Sequence, residues 1–220
     1  MSRKNMTACA LAALLALGAG AASAGNMQSD IDQAVFMLKK FRELPEESIP
    51  DAVLKNAHGI AFLTVTKAGF VFSGRGGTGV VLARTDEGWS GPSAIGTGGI
   101  GFGFQAGAKV TEFIIILNNP KAVAAFSKGD NLTVGGQISA AVGPLGRTAA
   151  VDLAIEAPMY TYSRSQGIFG GVSLEGTAII EREDTNTATY GKPVEPKDIL
   201  AGKVAPPKGA ARLRAALSEF

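Results

Sequence analysis

Apolar residues Ile31, Ala34, Val35, Leu38 and Phe41 recur at helical spacing behind Ser29-Asp30, with Lys39, Lys40 and Arg42 late in the segment. The pattern predicts a capped, dipole-matched helix docked through one apolar stripe. Pro50 starts a second short helix through Lys55. The period then shortens to two, and strands are expected at Gly59–Val65, Phe70–Ser73, Gly79–Arg84, Gly99–Ala108 and Val110–Leu117. Asn119-Pro120 supplies a cap and a first-turn proline for a helix that runs to Ser127 and stops near Gly129. Strands resume with Val151, Leu153 and Ile155 alternating with Asp152, Ala154 and Glu156, followed by Met159–Arg164, Ile168–Leu174 and Ala178–Arg182. Past Tyr190 the chain is proline-rich. Pro193–Pro207 reads as an extended strap around a short Lys197–Leu200 turn, leading to a final helix with Ala210, Leu213 and Leu217 on one face.

Glycine changes the picture of those strands. Of 29 glycines, 23 lie between Gly59 and Gly176, among β-branched and aromatic residues. Glycine weakens a strand interior, so such use implies bends, bulges or close backbone approach. In Gly99-Ile100-Gly101-Phe102-Gly103-Phe104 the glycines share one bare face and the apolar residues the other. The expected fold is α+β: a strongly twisted antiparallel sheet, closing towards a barrel, flanked by N-terminal helices, one mid-chain helix and a C-terminal strap with a helix.

Ser2-Arg3-Lys4, an apolar run from Ala8 to Ala22, and Ala22-Ser23-Ala24 before Gly25 have the three parts of a secretory signal, and the run is short for a membrane span. The division that follows is a signal peptide at 1–24, a binding domain at 25–192 and the strap with its helix at 193–220. Export across an inner membrane would place the mature chain in the periplasm. Cys9 leaves with the signal, so no disulfide framework remains. Arg3 and Lys4 leave too, and the mature chain balances nineteen basic against nineteen acidic residues. A neutral chain has no general attraction for nucleic acid or membrane, so an anionic partner must meet a local patch. Ala52–Arg164 carries nine basic and six acidic residues, whereas Gly25–Asp51 carries three and six.

Two segments, Gly74-Arg75-Gly76-Gly77-Thr78-Gly79 and Gly96-Thr97-Gly98-Gly99-Ile100-Gly101, match the dinucleotide fingerprint. Each runs on into a strand-like sequence, which denies a pyrophosphate the helix N-terminus it needs. His58 is the only histidine, and without cysteine the mature chain assembles neither a His/Cys metal cluster nor a Cys-His pair. Glu112, Asp152, Glu156 and Glu175 alternate with apolar neighbours as the wet face of strands does, although paired carboxylates could serve acid–base chemistry. Lys67, Arg75, Arg84, Lys109, Arg147 and Arg164 fall at strand ends or turns beside glycines or aromatics such as Phe70. Arginine beside glycine-exposed NH groups suits phosphate, with structural ion pairs as the other reading. Trp89, in a turn-rich stretch, is either core or an interfacial anchor.

As an ordered set, Ala57-His58-Gly59-Ile60-Ala61, Lys67-Ala68-Gly69-Phe70, Gly74 to Val80, Trp89-Ser90-Gly91-Pro92-Ser93, Gly143-Pro144-Leu145-Gly146-Arg147 and Tyr160 to Gly176 closely resemble the SYLF domain family over roughly Ser29–Gly191. The resemblance implies a non-enzymatic, lipid-binding domain without a cofactor, in a family whose eukaryotic members bind phosphoinositides and in some cases actin. For an exported chain the corresponding partner is an anionic phospholipid membrane, bound peripherally through Lys67, Arg75, Arg84, Lys109, Arg147 and Arg164, with Phe70 and Trp89 as apolar contacts. The alternatives are an envelope scaffold that binds a protein through an edge strand or the C-terminal strap, and a metal-free hydrolase using the carboxylates.

Overall fold

The computed structural model describes residues 26–43, 49–129, 132–134, 139–144, 157–167 and 177–220, with the backbone alone at 70–73, 100–106 and 166–167. Helix α1 spans Met27–Glu43 and α2 spans Asp51–Lys55. In α1 the predicted stripe is buried at Ile31, Ala34, Leu38 and Phe41, with Asp30 in the first turn and Lys40 and Arg42 in the last.

Strand β1 then runs unbroken over Gly59–Thr85, and β3 over Ser93–Leu117, with the two-residue β2 (Gly88–Trp89) between them. The separate strands expected from the pattern are thus one ribbon, paired antiparallel from Gly59↔Leu117 to Val81↔Ser93 with one register shift between Phe70 and Phe72. A continuous ladder satisfies backbone groups that each break would strand, so the glycines express curvature instead of chain reversal. The ribbon doubles over on itself. His58 O accepts from Arg84 N at 2.8 Å, and a Cβ on Gly79 would strike the Phe62 carbonyl oxygen. A Cβ on Gly59 would sit 3.0 Å from Leu82 O. Only glycine permits backbones this close.

Strand β6 (Met159–Gly167) pairs antiparallel with the second half of β3. Strand β7 (Ala178–Glu181) pairs with the start of β3 and with the short β4 (Leu132–Thr133). One pairing departs from the antiparallel expectation: β5 (Ala140–Val142) lies parallel to β6, and the connection at 143–158 is long enough for the crossover this requires. The predicted strands at Val151–Ile155 and Ile168–Leu174 lie outside the described residues.

Helix α3 occupies Pro120–Ser127 as predicted, with Asn119 Oδ1 accepting from Ala122 N at 2.9 Å. Helix α4, Glu183–Tyr190, has no counterpart in the sequence pattern because only Asn186 of its residues is buried. Its first-turn acids Glu183 and Asp184 suit the helix dipole, and left-handed Gly191 (φ 72°) ends it. The strap is not extended throughout, since α5 spans Pro196–Leu200 and buries Pro196, Ile199 and Leu200. A 3₁₀ turn at Lys208–Ala210 leads into α6, Ala211–Leu217, and Ala210, Leu213 and Leu217 are fully buried on one face as predicted.

Where the ribbon doubles, both of its faces are covered. Ile60, Phe62, Val80, Leu82, Ile114 and Ile116 share one cluster with Ile31, Ala34 and Leu38 of α1 and Leu213 and Leu217 of α6. Ala61, Leu63, Val81, Ala83, Phe113, Ile115 and Leu117 share the other with Ala122 and Phe126 of α3 and Leu200 of α5. This is why Phe113–Leu117 reads as a continuous apolar run without alternation. Each such fully buried aliphatic side chain contributes about 1.5–3 kcal/mol.

Candidate interaction surface

The basic residues singled out in the sequence fall into three places. Lys67 and Lys109 are cross-strand partners just below the register shift, and Phe70 lies at the shift itself. Lys67 is half-buried and Lys109 only 6% exposed, so Lys109 does not meet a surface ligand directly. Both make further contacts within the fold. On the other side of the shift Arg75 pairs with Gly99, and a Cβ on Gly99 would lie 2.8 Å from Arg75 Nε. The bare position at Gly99 is therefore occupied by an arginine side chain. Away from these groups, the ribbon on both sides of the shift is open: Thr66, Ala68, Gly74, Gly98 and Ala108 are exposed, and Val110 is 40% exposed.

Arg164 sits across the ladder from Glu112, which is buried beneath α1 and accepts from Gln33 Nε2 at 2.6 Å. Among the described residues no ion pair joins Arg164 to Glu112. One turn along α1 from Gln33, Phe36 is 45% exposed, with the Lys40 ammonium 5.5 Å from its ring centroid. Thr64 Oγ1 and Tyr162 Oη are buried without a hydrogen-bond partner. Burial, and secondarily the neighbouring Tyr160, pushes the Tyr162 hydroxyl well above the ordinary tyrosine range.

Trp89 is structural, which corrects its assignment to a lipid surface, and the exposed Arg84 packs against it. Trp89 is 2% exposed and its Nε1–H donates to Leu217 O at 3.0 Å. Arg214 Nε donates to Trp89 O at 2.7 Å, and the Arg84 guanidinium lies 4.7 Å from the indole while donating to Ala57 O and Leu54 O. The pair clamps the ribbon's hairpin end between α2 and α6. Arg147 lies outside the described residues, as do Asp152, Glu156 and Glu175, so the paired carboxylates of the hydrolase reading have no described geometry. His58 is exposed just before β1. Among the described residues no group of three His, Cys, Asp or Glu side chains could hold a metal, and no helix is long and apolar enough to cross a membrane.

Sequence reasoning missed a buried polar network. Arg182 Nη1 donates to Asp30 Oδ2 at 2.6 Å, and Thr78 Oγ1 donates to Asp30 Oδ1 at 2.7 Å. The Arg182 stem crosses Gly96, where a Cβ would lie 3.1 Å from its Cδ. Asn186, fully buried, accepts from Ala94 N at 2.8 Å and donates to Glu181 Oε1 at 2.9 Å and Ser93 Oγ at 3.3 Å. Glu181 lines two open grooves, one of about 900 Å³ between the starts of α1 and α4, the other of about 990 Å³ between the end of α3 and the strap. Asp30, an ordinary first-turn acid in the sequence, was the only signal of this network.

The fold defines a small α+β domain organised on one doubled β-ribbon, with exposed apolar and cationic positions on the ribbon and on α1. A family model described as "Ysc84: Las17-binding protein actin regulator" matches residues 98–220, and the chain belongs to this family, the SYLF family of the sequence resemblance. SH3 domain-containing YSC84-like protein 1 of Bos taurus is 45% identical over 203 residues, covering 89% of this chain and 60% of its own. The Homo sapiens protein of that name is 44% identical over 203 residues, covering 89% and 59%. LAS seventeen-binding protein 3 of Saccharomyces cerevisiae is 46% identical over 167 residues, covering 74% and 36%. The chain thus spans about three-fifths of the length of the animal relatives it matches. The names that mention a partner speak of Las17 and actin and not of lipid.

Proposed function

We propose that this chain is a non-catalytic recognition domain, needing no cofactor, whose partner is a protein engaged at a sheet edge. The observation that carries this is β5. Among the described residues it ends the sheet beyond β6, and its Val142 is 82% exposed. An edge strand offers backbone groups to an added strand, with alternate side chains giving specificity. The strap, the other candidate surface, spends Pro196, Ile199 and Leu200 on the core, and the helix after it spends Leu213 and Leu217. The relatives' names supply the probes, a Las17-type protein and filamentous actin. Co-sedimentation of the purified chain with either should survive a rise in salt and should be lost in Val142→Asp. Absence of binding to both, or full binding by Val142→Asp, removes this reading.

A second reading is peripheral binding to anionic phospholipid by an exported, periplasmic chain. It is favoured by the ribbon around the register shift, where residues 66–76 and 98–111 hold Lys67, Arg75 and Lys109 and no carboxylate. A cation near an anionic membrane contributes about 1 kcal/mol before screening. Vesicles of phosphatidylcholine with phosphatidylglycerol should bind the chain at low salt and release it at high salt, and charge reversal at Arg75 and Arg164 should weaken binding. Equal binding to pure phosphatidylcholine defeats this reading.

A further inference from the structure

Glu181 lines both open grooves, and four elements meet at it. Its backbone, in β7, pairs with Ile95 at the start of β3. Its Oε1 accepts from Nδ2 of the fully buried Asn186 in α4 at 2.9 Å, and its Oε2 reaches the end of α3, where a Cβ on Gly129 would lie 2.9 Å away. Beside it, Ile95, Phe126, Leu132, Ile179 and Pro196 line a pocket of about 10 Å³, room for one water at most. The carboxylate therefore meets solvent through the grooves and not from the core.

A negative charge is poorly placed here. The end of α3 beside Glu181 is the negative end of that helix's dipole, with carbonyls that no further turn satisfies. Among the described residues, Glu183 and Asp184 of α4, and Glu195 and Asp198 of the strap and α5, share its grooves, against Lys128 at the end of α3, Lys192 before the strap and Lys197 of α5. Residues 95–97 of β3 and Leu132–Thr133 of β4 bring no titratable side chain. The cations are mostly engaged elsewhere: Arg182 pairs with Asp30 of α1, Lys197 with Glu195 at 2.5 Å and Lys203 with Asp198 at 3.4 Å, while Lys128 and Lys192 are exposed. Burial pushes the Glu181 carboxyl above its ordinary 4.5, the Asn186 bond opposes this, and Glu183 and Glu195 reinforce it. A proton on the carboxyl removes the charge and supplies a donor toward the carbonyls at the end of α3.

We propose that Glu181 is a proton-operated latch on the seam between α3 and the strap: with its proton it holds the seam closed, and on ionisation it loosens the strap and widens the groove of about 990 Å³. The strap can respond because Lys192, Pro193 and Glu195 are exposed, whereas Pro196, Ile199 and Leu200 beyond them are anchored in the core. Loosening therefore stays local. A carboxyl that holds its proton more tightly in the closed state supports closure fully below its ordinary value, and that support is lost as pH rises through the raised one. The seam is tightest in acid. The latch is independent of which partner the chain takes.

Ala124 and Val194 line this groove from α3 and from the strap, and Cys9 is the only cysteine. The full chain with Cys9→Ser thus takes spin labels at Ala124→Cys and Val194→Cys alone. The distribution of distances between the labels should be narrow at pH 4.5 and should broaden to longer distances at neutral pH. Glu181→Gln in this background, uncharged at either pH, should keep the narrow distribution at both. Glu183→Gln/Glu195→Gln should keep the transition and move its midpoint to lower pH. A distribution that does not change with pH, or a transition that survives Glu181→Gln, overturns the latch. Should Glu181→Gln fail to fold, the midpoint decides alone, and one left unmoved by Glu183→Gln/Glu195→Gln overturns it. Trp89, 2% exposed in the core, reports on the whole fold, and its emission should stay constant over the same range. A red shift in step with the distances assigns the titration to global unfolding and also overturns the latch.

Discussion

The Cα of Gly79 rests against the carbonyl oxygen of Phe62, a residue of the same strand, so that a Cβ at position 79 would overlap the Phe62 backbone. Neither side can yield, because Phe62 is fully buried and paired with Ile114. Gly79→Ala should therefore cost about 3 kcal/mol or abolish folding. Gly74→Ala, on the same strand but with nothing within 4 Å, should be neutral or stabilise by about 0.5 kcal/mol. Urea unfolding of the two variants checks this, and similar midpoints would mean that the ribbon does not double.

The Asp30–Arg182 pair joins α1 to the segment between β7 and α4, with side-chain exposures of 7% and 12%. Removing one partner strands the other charge, so Arg182→Met should cost about 3–5 kcal/mol. Asp30→Asn in the same background should recover a large part of that loss, because the amide needs no counter-charge. Denaturant titration of the single and double variants gives the coupling, and additive losses would contradict it.

Burial raises the Glu181 carboxyl above its ordinary 4.5; the Asn186 hydrogen bond opposes the rise, and Glu183 and Glu195 add to it. A carboxyl with a higher pKa in the folded state holds its proton more tightly there. Its contribution is complete below the unfolded value and is lost as pH rises through the folded one. Glu181→Gln should leave the neutral-pH melting temperature unchanged or raised, and should flatten the fall in melting temperature just above pH 4.5. A wild-type curve already flat in that window would refute the assignment.

Helix α6 seals the ribbon's hairpin end, where Leu217 O receives the Trp89 indole N–H. Leu213→Ala should cost about 2–5 kcal/mol and shift Trp89 emission to longer wavelength as water reaches the indole. Emission that stays blue in a destabilised variant would place the damage elsewhere.

Ala22-Ser23-Ala24 after the apolar run sets the expected processing site. Mass spectrometry of the exported protein should find an N-terminus at Gly25. A mature form that retains residues 1–24 would end the secretory reading.

Local pattern was enough for α1, α3 and the buried face of α6, because each is written in the spacing of adjacent residues. The continuity of β1 was not legible, since the same glycines serve a turn or a bend, and only the partner strand decides between them. Arg84 and Trp89 were visible as a cation and an aromatic. Their role depends on Leu217, 128 residues from Trp89, and no local rule reaches that far. Arg182 and Asp30, 152 residues apart, were hidden for the same reason. Lys67, Arg75 and Arg164 were read at strand ends or turns, whereas they lie inside β1 and β6, and their scatter over separate places required the register.

The ribbon's pairings move steadily away from its turn, from Val81↔Ser93 nearest the hairpin to Gly59↔Leu117 farthest from it. Each pair formed shortens the loop left for the next, so pairing can spread as a zipper with little entropy lost per step. The contact between Gly79 and Phe62 is of another kind, because it exists only after both ends of the zipper have closed and the finished ribbon has bent. Within the ribbon, the bend is therefore the step expected to be slower than the pairing of β1 with β3. Stopped-flow measurements should find refolding rates sensitive to Gly77→Ala and nearly indifferent to Leu217→Ala, whose loss should instead speed unfolding.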